Sequence, residues 1–157
     1  MIRIIVAVDS KWGIAKNGQQ PWDLPSDLAY FRTQTLRYGG QVVMGRKTYD
    51  AIGHLFVNRH TIIVTRSAAK IPGATVVNDL DAYLKNLQSD VWIAGGGEVY
   101  EQALQYAQEI YITHIAADFA CDVFFPALDM SKFIKTSETQ PLIENSVQFT
   151  QAVYTRS

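Results

Sequence analysis

The stretch from Ile2 to Val8 constrains the fold most, because it is an almost continuous run of apolar residues. A run without polar alternation is typical of a strand that is buried on both faces of a parallel sheet. Such a strand needs helices above and below it, and strand-like and helix-like stretches alternate along most of the chain. The sequence therefore predicts a three-layer α/β fold, with a mostly parallel mixed sheet flanked by helices on both faces.

Further strands are predicted from short apolar runs, and helices from apolar residues at three-to-four spacing. The predicted strands are 41–44, 61–65, 74–77, 91–94, 110–115 and 133–136. Helices are predicted from Pro25, through 45–52, after the N-cap Asp79, and after the glycines 95–97. The last stretch, 147–154, alternates apolar and polar residues, which predicts an antiparallel C-terminal strand near an edge of the sheet.

Composition narrows the classes of function. The chain has 14 Lys and Arg against 15 Asp and Glu, a net charge of -1, whereas nucleic acids and anionic membranes select a positive surplus. The single cysteine, Cys121, can form neither an intramolecular disulfide nor a cysteine-based metal site. No apolar run reaches the ~18 residues of a membrane span, and the first residues lead straight into a strand. We therefore expect one cytoplasmic domain over residues 1–157, monomeric, without a metal.

Asp27 is an acidic residue among apolar ones on the first predicted helix. At helical spacing it shares a face with Leu24, Leu28 and Phe31, and burying a carboxylate there is costly unless a polar group pairs with it. The alternative is an exposed first-turn aspartate that stabilises the positive end of the helix dipole. Trp22 precedes the helix, after a stretch with the glycines and prolines expected of a mobile loop over a site. These neighbours favour a binding role for Asp27.

Basic and hydroxyl side chains follow two predicted parallel strands, and three glycines follow a third. Ligands of open α/β sheets gather at the carboxyl ends of the strands. Arginine suits a phosphate, and bare backbone N–H groups at a helix start suit a pyrophosphate. Each signal alone fits a solvated surface charge or a tight turn equally well, but together they favour a phosphorylated dinucleotide. The residues are Gly45, Arg46, Lys47, Thr48, Thr65, Arg66, Ser67, Gly95, Gly96 and Gly97.

Several motifs, in order and spacing, resemble those of the bacterial dihydrofolate reductases over essentially the whole chain. They lie at 5–7, 22–28, 43–48, 93–100, 111–114 and 122–126. The resemblance implies NADPH-dependent reduction of 7,8-dihydrofolate to 5,6,7,8-tetrahydrofolate, by hydride transfer to C6 of the pterin. It also implies a role in one-carbon metabolism and binding of antifolate inhibitors.

The resemblance further implies roles for individual residues. Asp27 would pair with N3 and the 2-amino group of the pterin, Trp22 would hold an ordered water, and Tyr100 would lie near the nicotinamide. The other substrate-binding residues implied are Val6, Leu28, Phe31, Ile52, Arg59, which grips the α-carboxylate of the glutamate tail, and Thr113, which hydrogen-bonds Asp27. The cofactor-binding residues implied are Ala7, Ile14, Gly45, Arg46, Lys47, Thr48, Thr65, Arg66, Ser67, Gly96, Gly97, Glu98, Val99, Tyr100 and Gln102.

The loop 9–24 resembles the family's active-site lid, which Asp122 would fasten through backbone N–H groups. The chain departs from the family pattern at four positions and in the segment 55–58, which lacks the usual proline next to Phe56. Glu98 stands where a basic residue is common near the pyrophosphate, and Ala15 and Cys121 stand in place of glycines. Ala94 replaces a larger aliphatic residue beside the pterin pocket, and we expect the added room to weaken binding of diaminopyrimidine antifolates such as trimethoprim.

Two alternative functions remain open from the sequence. A deaminated-pyrimidine reductase of riboflavin synthesis shares this fold and cofactor groove, but it has no reason to keep the 22–27 motif or Arg59. A non-catalytic nucleotide- or folate-binding module explains the glycines and basic residues, but not a carboxylate placed to stabilise a protonated substrate. Consumption of NADPH with and without dihydrofolate separates the three possibilities.

Overall fold

A computed structural model describes residues 1–67 and 70–157. The predicted strands and helices are present in these ranges, with ends that differ by a few residues. The elements are β1 (Ile2–Val8), β2 (Gly13–Ala15), α1 (Pro25–Thr35), β3 (Gln41–Gly45), α2 (Arg46–Ile52), β4 (His60–Val64), β5 (Ala74–Val77), α3 (Leu80–Lys85), β6 (Val91–Ile93), α4 (Gly97–Leu104), β7 (Glu109–Ile115), β8 (Val123–Phe124), β9 (Phe133–Glu138), β10 (Leu142–Glu144) and β11 (Val147–Arg156). Short 3-10 turns follow α1 and α2.

The strand β1 lies inside the main sheet, as its apolar run predicts. Over the described residues the strand order is β10-β11-β7-β1-β6-β3-β4-β5, and β9 also pairs with β11. β1 is parallel to both neighbours, with Ile4 opposite Ile93 of β6 and Ile110 of β7. Every residue of β1 is buried.

Helices cover both faces of the sheet, which confirms the three-layer prediction. On one face, α3 and α4 contribute Leu84 and Ala103 to a core that includes Ile4 of β1. On the other face, Ile5 belongs to a core against which side chains of α1 and α2 pack. Alternate residues of β1 therefore serve the two cores, as the period of a strand requires.

Arg3 is the charged exception in β1, and it is buried. Its guanidinium donates to Glu109 at 2.7 Å and to Asp90 at 2.9 Å, and it lies 3.5 Å from the centroid of the Tyr38 ring. These partners replace water around the charge, so a buried strand tolerates an arginine here.

The C-terminal strand β11 is antiparallel to β7, as predicted. Its other side is covered by β10 along Val147–Phe149 and by β9 along Ala152–Arg156, so it lies one strand in from the edge. The sequence analysis did not predict β2, β8 or β10, which have only two or three residues each. None of the helices in the described ranges has the length and hydrophobicity that crossing a bilayer requires.

Candidate active site

Asp27 is buried in the first turn of α1, with 7% of its surface exposed. Thr113 Oγ1 donates a hydrogen bond to Asp27 Oδ1 at 2.6 Å, which confirms that predicted contact, and Gln151 Nε2 donates to the same oxygen at 3.0 Å. None of the described residues donates a hydrogen bond to Oδ2. Every buried side-chain oxygen of the described residues has a hydrogen-bond partner, so Oδ2 is not one of the buried atoms. Oδ2 is therefore accessible from outside the protein, while Oδ1 is held within it.

The two donors reach Asp27 together because they are neighbours in the sheet. Thr113 of β7 and Gln151 of β11 are directly paired, and Ala7 of β1 is the partner of Thr113 on the other side. Side chains of paired residues project from the same face of a sheet. The sequence analysis missed Gln151, although a signal was present: in the alternating β11 it occupies the same face as Phe149 and Val153.

The pKa of Asp27 is raised above its ordinary value, as predicted, and burial is the largest cause. The hydrogen bonds from Thr113 and Gln151 act in the opposite direction, and the nearby charge of Glu144 raises the pKa further. Burial favours the neutral acid, whereas hydrogen bonds to the carboxylate favour the ion. A cationic ligand at Oδ2 would relieve the unfavourable environment of the ion.

Asp27→Asn should therefore make the folded protein more stable at neutral pH. The pKa of Asp27 is higher in the folded state than in the unfolded state, so the free energy of unfolding of the wild type falls as the pH rises through these two values. Asparagine does not ionise, so the variant does not lose this stability. We expect the melting temperature at neutral pH to rise by a few degrees, since 1 kcal/mol corresponds to roughly 2–4 °C at this size. The gain should vanish in acid below the ordinary aspartate pKa. If the wild type and Asp27→Asn had equal melting temperatures at neutral pH, burial of the carboxylate would not be the cause of its raised pKa.

The helix α1 buries less apolar surface than its sequence predicts. Its buried residues are Asp27 and Thr35, whereas Leu28 is 39% exposed although we expected it to share the apolar face of Leu24. Phe31 is half-buried, with its ring 5.6 Å from that of Phe56. The protein itself covers this face only in part, which leaves Leu28 available to an apolar ligand.

Arg59 lies between the end of α1 and the loop that precedes β4. Its Nε donates to Thr35 Oγ1 at 3.0 Å, Nη1 to the Val57 carbonyl at 2.6 Å and Nη2 to the Arg32 carbonyl. The guanidinium is thus held in one orientation, 5.7 Å from the Phe56 ring. Burial, and secondarily the charge of Arg32, lower the pKa of Arg59, so a carboxylate partner would be stabilising here.

Three turns meet at the carboxyl ends of the parallel strands β3, β4 and β6. The Gly45 amide donates to the Gly95 carbonyl at 2.8 Å, and Gly45 is paired with Val64. A Cβ on Gly96 would lie 3.4 Å from Thr48 Oγ1, and Gly95 has φ of +114° with its Cβ position 3.3 Å from the Tyr100 ring. The positive φ of Gly95 favours glycine at that position. The Gly95–Gly96 peptide is cis.

Two of these turns lead into helices whose first backbone N–H groups have no side-chain cap. These helices are α2, which begins after Gly45, and α4, which begins after Gly96. Uncapped N–H groups at adjacent helix starts suit the phosphates of a dinucleotide. The glycines and donors present here therefore fit the predicted NADPH.

The polar cofactor-binding candidates are placed around the same turns. Arg46 is exposed and pairs with Asp50 at 3.0 Å, and Lys47, Arg66, Ser67, Glu98 and Gln102 are exposed while Thr48 and Thr65 are half-buried. The side chain of Asn78, which the sequence analysis missed, donates to the carbonyls of Thr65 and Ser67 at 2.6 and 3.0 Å. Asn78 therefore orders the turn after β4.

The apolar candidates lie within the cores. Val6, Ala7, Ile14, Trp22, Val99 and Tyr100 are buried, and Ile52 is half-buried. Trp22 packs edge-on against Phe119 at 5.5 Å. The Tyr100 hydroxyl donates to the Ile5 carbonyl at 2.8 Å, and burial raises the pKa of this hydroxyl. Tyr100 is thus a neutral donor to the backbone of β1, and its part in catalysis stays a prediction.

The predicted lid, 9–24, is tied to the body of the protein by two aspartates. The Asn17 amide donates to Asp122 Oδ2 at 3.0 Å, which confirms the predicted fastening. Asp9, which the sequence analysis did not single out, is buried and accepts from the amides of Lys11, Gly13 and Phe119 at 2.8–3.0 Å. These amides lower the pKa of Asp9 despite its burial. The strand β2 of the lid pairs with β8, which lies outside the lid.

Gly13 and Cys121 offer a matched test of packing under the lid. A Cβ on Gly13 would lie 2.3 Å from Cys121 Cβ and 2.7 Å from Sγ, so Gly13→Ala should destabilise the protein by about 1–3 kcal/mol. Adding Cys121→Gly removes the two closest atoms and leaves Asp9 Oδ1 at 3.0 Å from the new Cβ, so it should restore part of that loss. Urea unfolding of the two single variants and the double variant measures the coupling. A double variant no more stable than Gly13→Ala would show that the clash is not the cause.

Comparisons with known proteins agree with this geometry. A family model described as dihydrofolate reductase matches residues 1–156. The dihydrofolate reductase of Bacillus subtilis (strain 168) is 36% identical over 143 residues, which cover 89% of this chain and 84% of the relative. The dihydrofolate reductase type A13 of Escherichia coli is 32% identical over 160 residues, 99% of this chain and 94% of the relative. A solved structure of dihydrofolate reductase from Enterococcus faecalis, complexed with NADP(H) and RAB-propyl, matches with a TM-score of 0.87 and 29% identity, over 99% of this chain and 96% of that one.

Proposed function

The chain belongs to the dihydrofolate reductase family, whose members reduce dihydrofolate to tetrahydrofolate with NADPH, and we propose which of its residues carry out that reaction. The observation that carries the proposal is the carboxylate of Asp27, buried with Oδ1 held by Thr113 and Gln151 and Oδ2 accessible. A planar ligand with adjacent N–H donors, such as N3 and the 2-amino group of a pterin, is the partner that such a carboxylate can bind side-on.

Asp27 contributes to the reaction through its charge. When bound, NADPH supplies the hydride that C6 of the pterin accepts, and C6 accepts it only when N5 is protonated. The ionised carboxylate stabilises the positive charge of that protonated ring, because opposite charges interact strongly where water is excluded. Asp27 binds the far side of the ring from N5, so water delivers the proton.

Trp22 is proposed to hold a water close to the site. Its indole N–H donates a hydrogen bond to none of the described residues. Every buried side-chain nitrogen of these residues has a hydrogen-bond partner, so this nitrogen is not one of the buried atoms. The N–H is therefore accessible, on a ring that packs in the same core as Ala7 and Leu24. An indole donor of this kind can fix an ordered water.

Arg59 is proposed to bind the glutamate tail of the substrate. A guanidinium has five N–H donors, and three of those of Arg59 bond to Thr35, Val57 and Arg32. The remaining two are oriented in advance for the α-carboxylate. On α1, Phe31 lies between Asp27 and Thr35, which bonds to Arg59, and its ring is in contact with that of Phe56. These two rings suit the aromatic middle of the substrate.

The cofactor is proposed to lie across the ends of β3, β4 and β6. The backbone at Gly96 and Gly97 would bind the pyrophosphate, while Arg46 and Arg66 favour NADPH over NADH through its additional phosphate. Glu98 is exposed beside the pyrophosphate position and should weaken that contact by repulsion. The other residues proposed are Ala7, Ile14, Gly45, Lys47, Thr48, Thr65, Ser67, Val99, Tyr100 and Gln102.

Spectrophotometry of the purified protein tests the function. NADPH absorbance should fall when dihydrofolate is present and stay constant without it. Consumption with a deaminated pyrimidine of riboflavin synthesis in place of dihydrofolate would identify the rival reductase. Binding of both ligands without consumption would identify a non-catalytic module.

Ala94→Ile should tighten inhibition by trimethoprim. Ala94 is buried at the end of β6, in a core with Met44 and Phe56 that borders α1, and each added CH₂ that contacts the ligand contributes about 0.8 kcal/mol. We expect the inhibition constant to fall about tenfold, with a smaller change in KM for dihydrofolate. An inhibition constant equal to that of the wild type would dismiss the pocket at Ala94 as a cause of weak antifolate binding.

We also propose a monomer in the cytoplasm that does not bind nucleic acid. A single chain supplies Asp27, Thr113 and Arg59, and the near-neutral charge and lone cysteine suit a reducing compartment without polyanion binding. Sedimentation equilibrium of the purified protein tests the monomer, and a dimer with lost activity on dilution would contradict it.

A further inference from the structure

Gln151 is a polar side chain on the same face of β11 as the apolar Phe149 and Val153, and it reaches Asp27. We propose that Gln151 is a positioning residue for the reaction, which together with Thr113 holds Asp27 Oδ1 and so sets the orientation in which the carboxylate meets the pterin. This inference rests on the proposed function of Asp27 and adds to it a residue that none of the sequence motifs contains.

The backbone of Gln151 is itself held in place. Its amide donates to Thr139 Oγ1 at 3.0 Å, and its carbonyl accepts from the Thr139 amide at 3.0 Å. Gln151 lies where the pairing of β11 changes from β10 to β9, and Thr139 fills that junction. On its other side, Gln151 is paired with Thr113. Both neighbours therefore restrict the position from which its side chain extends to Asp27.

Residues at the end of β10 and in the turn that follows it hold the start of α1 against the C-terminal strands. Glu144 accepts from the Ser26 amide at 3.0 Å and from Ser26 Oγ at 2.8 Å, and Asn145 Nδ2 donates to the Asp23 carbonyl at 2.8 Å. Together with the Gln151 contact, these bonds join the start of α1 to the C-terminal strands. The orientation of the Asp27 carboxylate is thus set by β11 as well as by β7.

The hydrogen bonds that Thr113 and Gln151 donate to Asp27 Oδ1 affect both the orientation and the ionisation of the carboxylate. They restrain rotation of the carboxylate and stabilise its ionised form against burial. The groups that face Asp27 are Thr113 from β7, Gln151 from β11, Glu144 from β10 and Tyr30 from its own helix. Burial raises the pKa of Tyr30 to about 12, so this phenol is neutral, whereas the charge of Glu144 opposes ionisation of Asp27. Loss of the Gln151 donor should therefore favour the protonated acid.

The decisive variant is Gln151→Met, which keeps the length of the side chain and removes the donor. We expect the pKa of Asp27, measured by carbon NMR of labelled aspartate in the NADPH complex, to rise by about one unit, a tenfold change in the protonation equilibrium. The acid limb of the kcat/KM profile should move by the same amount. Gln151→Glu should raise the pKa further, because it places a second negative charge at the site.

Gln148→Met is the matched control, since Gln148 is exposed on the same strand, and it should leave both measurements unchanged. If Gln151→Met does not fold, Gln151→Asn shortens the side chain, removes the contact and gives the same test. An unmoved pKa and pH profile overturn the inference, even if the melting temperature falls. The proposed function is tested separately: it fails if the wild type does not consume NADPH with dihydrofolate, or if Asp27→Asn remains fully active.

Discussion

Asp27→Asn should lower turnover at neutral pH by about 10²–10³-fold, the usual cost of removing a preorganised electrostatic group. Asparagine retains an oxygen that can accept from Thr113 and Gln151, so the geometry of the site is kept while the charge is lost. Without that charge the protonated pterin is no longer stabilised. Steady-state assays of NADPH oxidation over a range of pH measure the effect.

The pH dependence identifies the reason for the loss. As the solution becomes more acidic, solvent protonates the substrate directly, so the variant should recover part of its activity while the wild type does not gain. Asp23→Asn is the matched control, because Asp23 is exposed beside the same helix, and it should stay near wild-type activity. Unchanged turnover of Asp27→Asn at neutral pH would rule out the proposed role.

Arg59→Met should raise KM for dihydrofolate about 10- to 100-fold, because hydrogen bonds to a charged group contribute about 1.5–3 kcal/mol. The tail carboxylate is remote from C6, so the same binding energy is lost in the ground state and the transition state, and kcat should change little. Arg59→Lys keeps the charge but not the two-pronged geometry, and we expect an intermediate KM.

A truncated substrate separates binding from folding. The amide of dihydropteroate keeps the aminobenzoyl ring but has no carboxylate, so its KM should be the same for the wild type and Arg59→Met. Arg59 also bonds to the carbonyls of Arg32 and Val57, and a structural defect at these contacts would weaken binding of both substrates. Equal losses for dihydrofolate and dihydropteroate amide would therefore refute the assignment of Arg59 to the tail.

Local sequence patterns were sufficient to predict the main strands and helices and to identify Asp27 as a buried carboxylate. The apolar run of β1 placed it between two parallel neighbours, and the position of Asp27 among apolar residues pointed to a buried carboxylate. The same reasoning overestimated the apolar burial of α1, since Leu28 is exposed. Helical spacing shows which residues share a face, but not whether protein or a ligand covers that face.

The residues that were missed act through contacts distant in sequence. Gln151 lies 124 positions from Asp27, and Phe119 donates to Asp9 across 110 positions. The short strands β2 and β8 are also too brief for a periodic signal, and they exist because the lid folds back onto the body of the protein. A local pattern can mark Gln151 as a polar residue on an apolar face, but it cannot show which distant residue is its partner.

The sequence by itself determined the layered fold, the family motifs and the choice of Asp27, because side-chain period and turn chemistry act between near neighbours. Only the tertiary structure decided which oxygen of Asp27 is held and which is open, since that depends on the register of β11 against β7. It also decided the orientation of Arg59, which is set by carbonyls from two separate segments. Hydrogen-bond geometry at a site is a property of the packed chain, where groups far apart in sequence come within 3 Å.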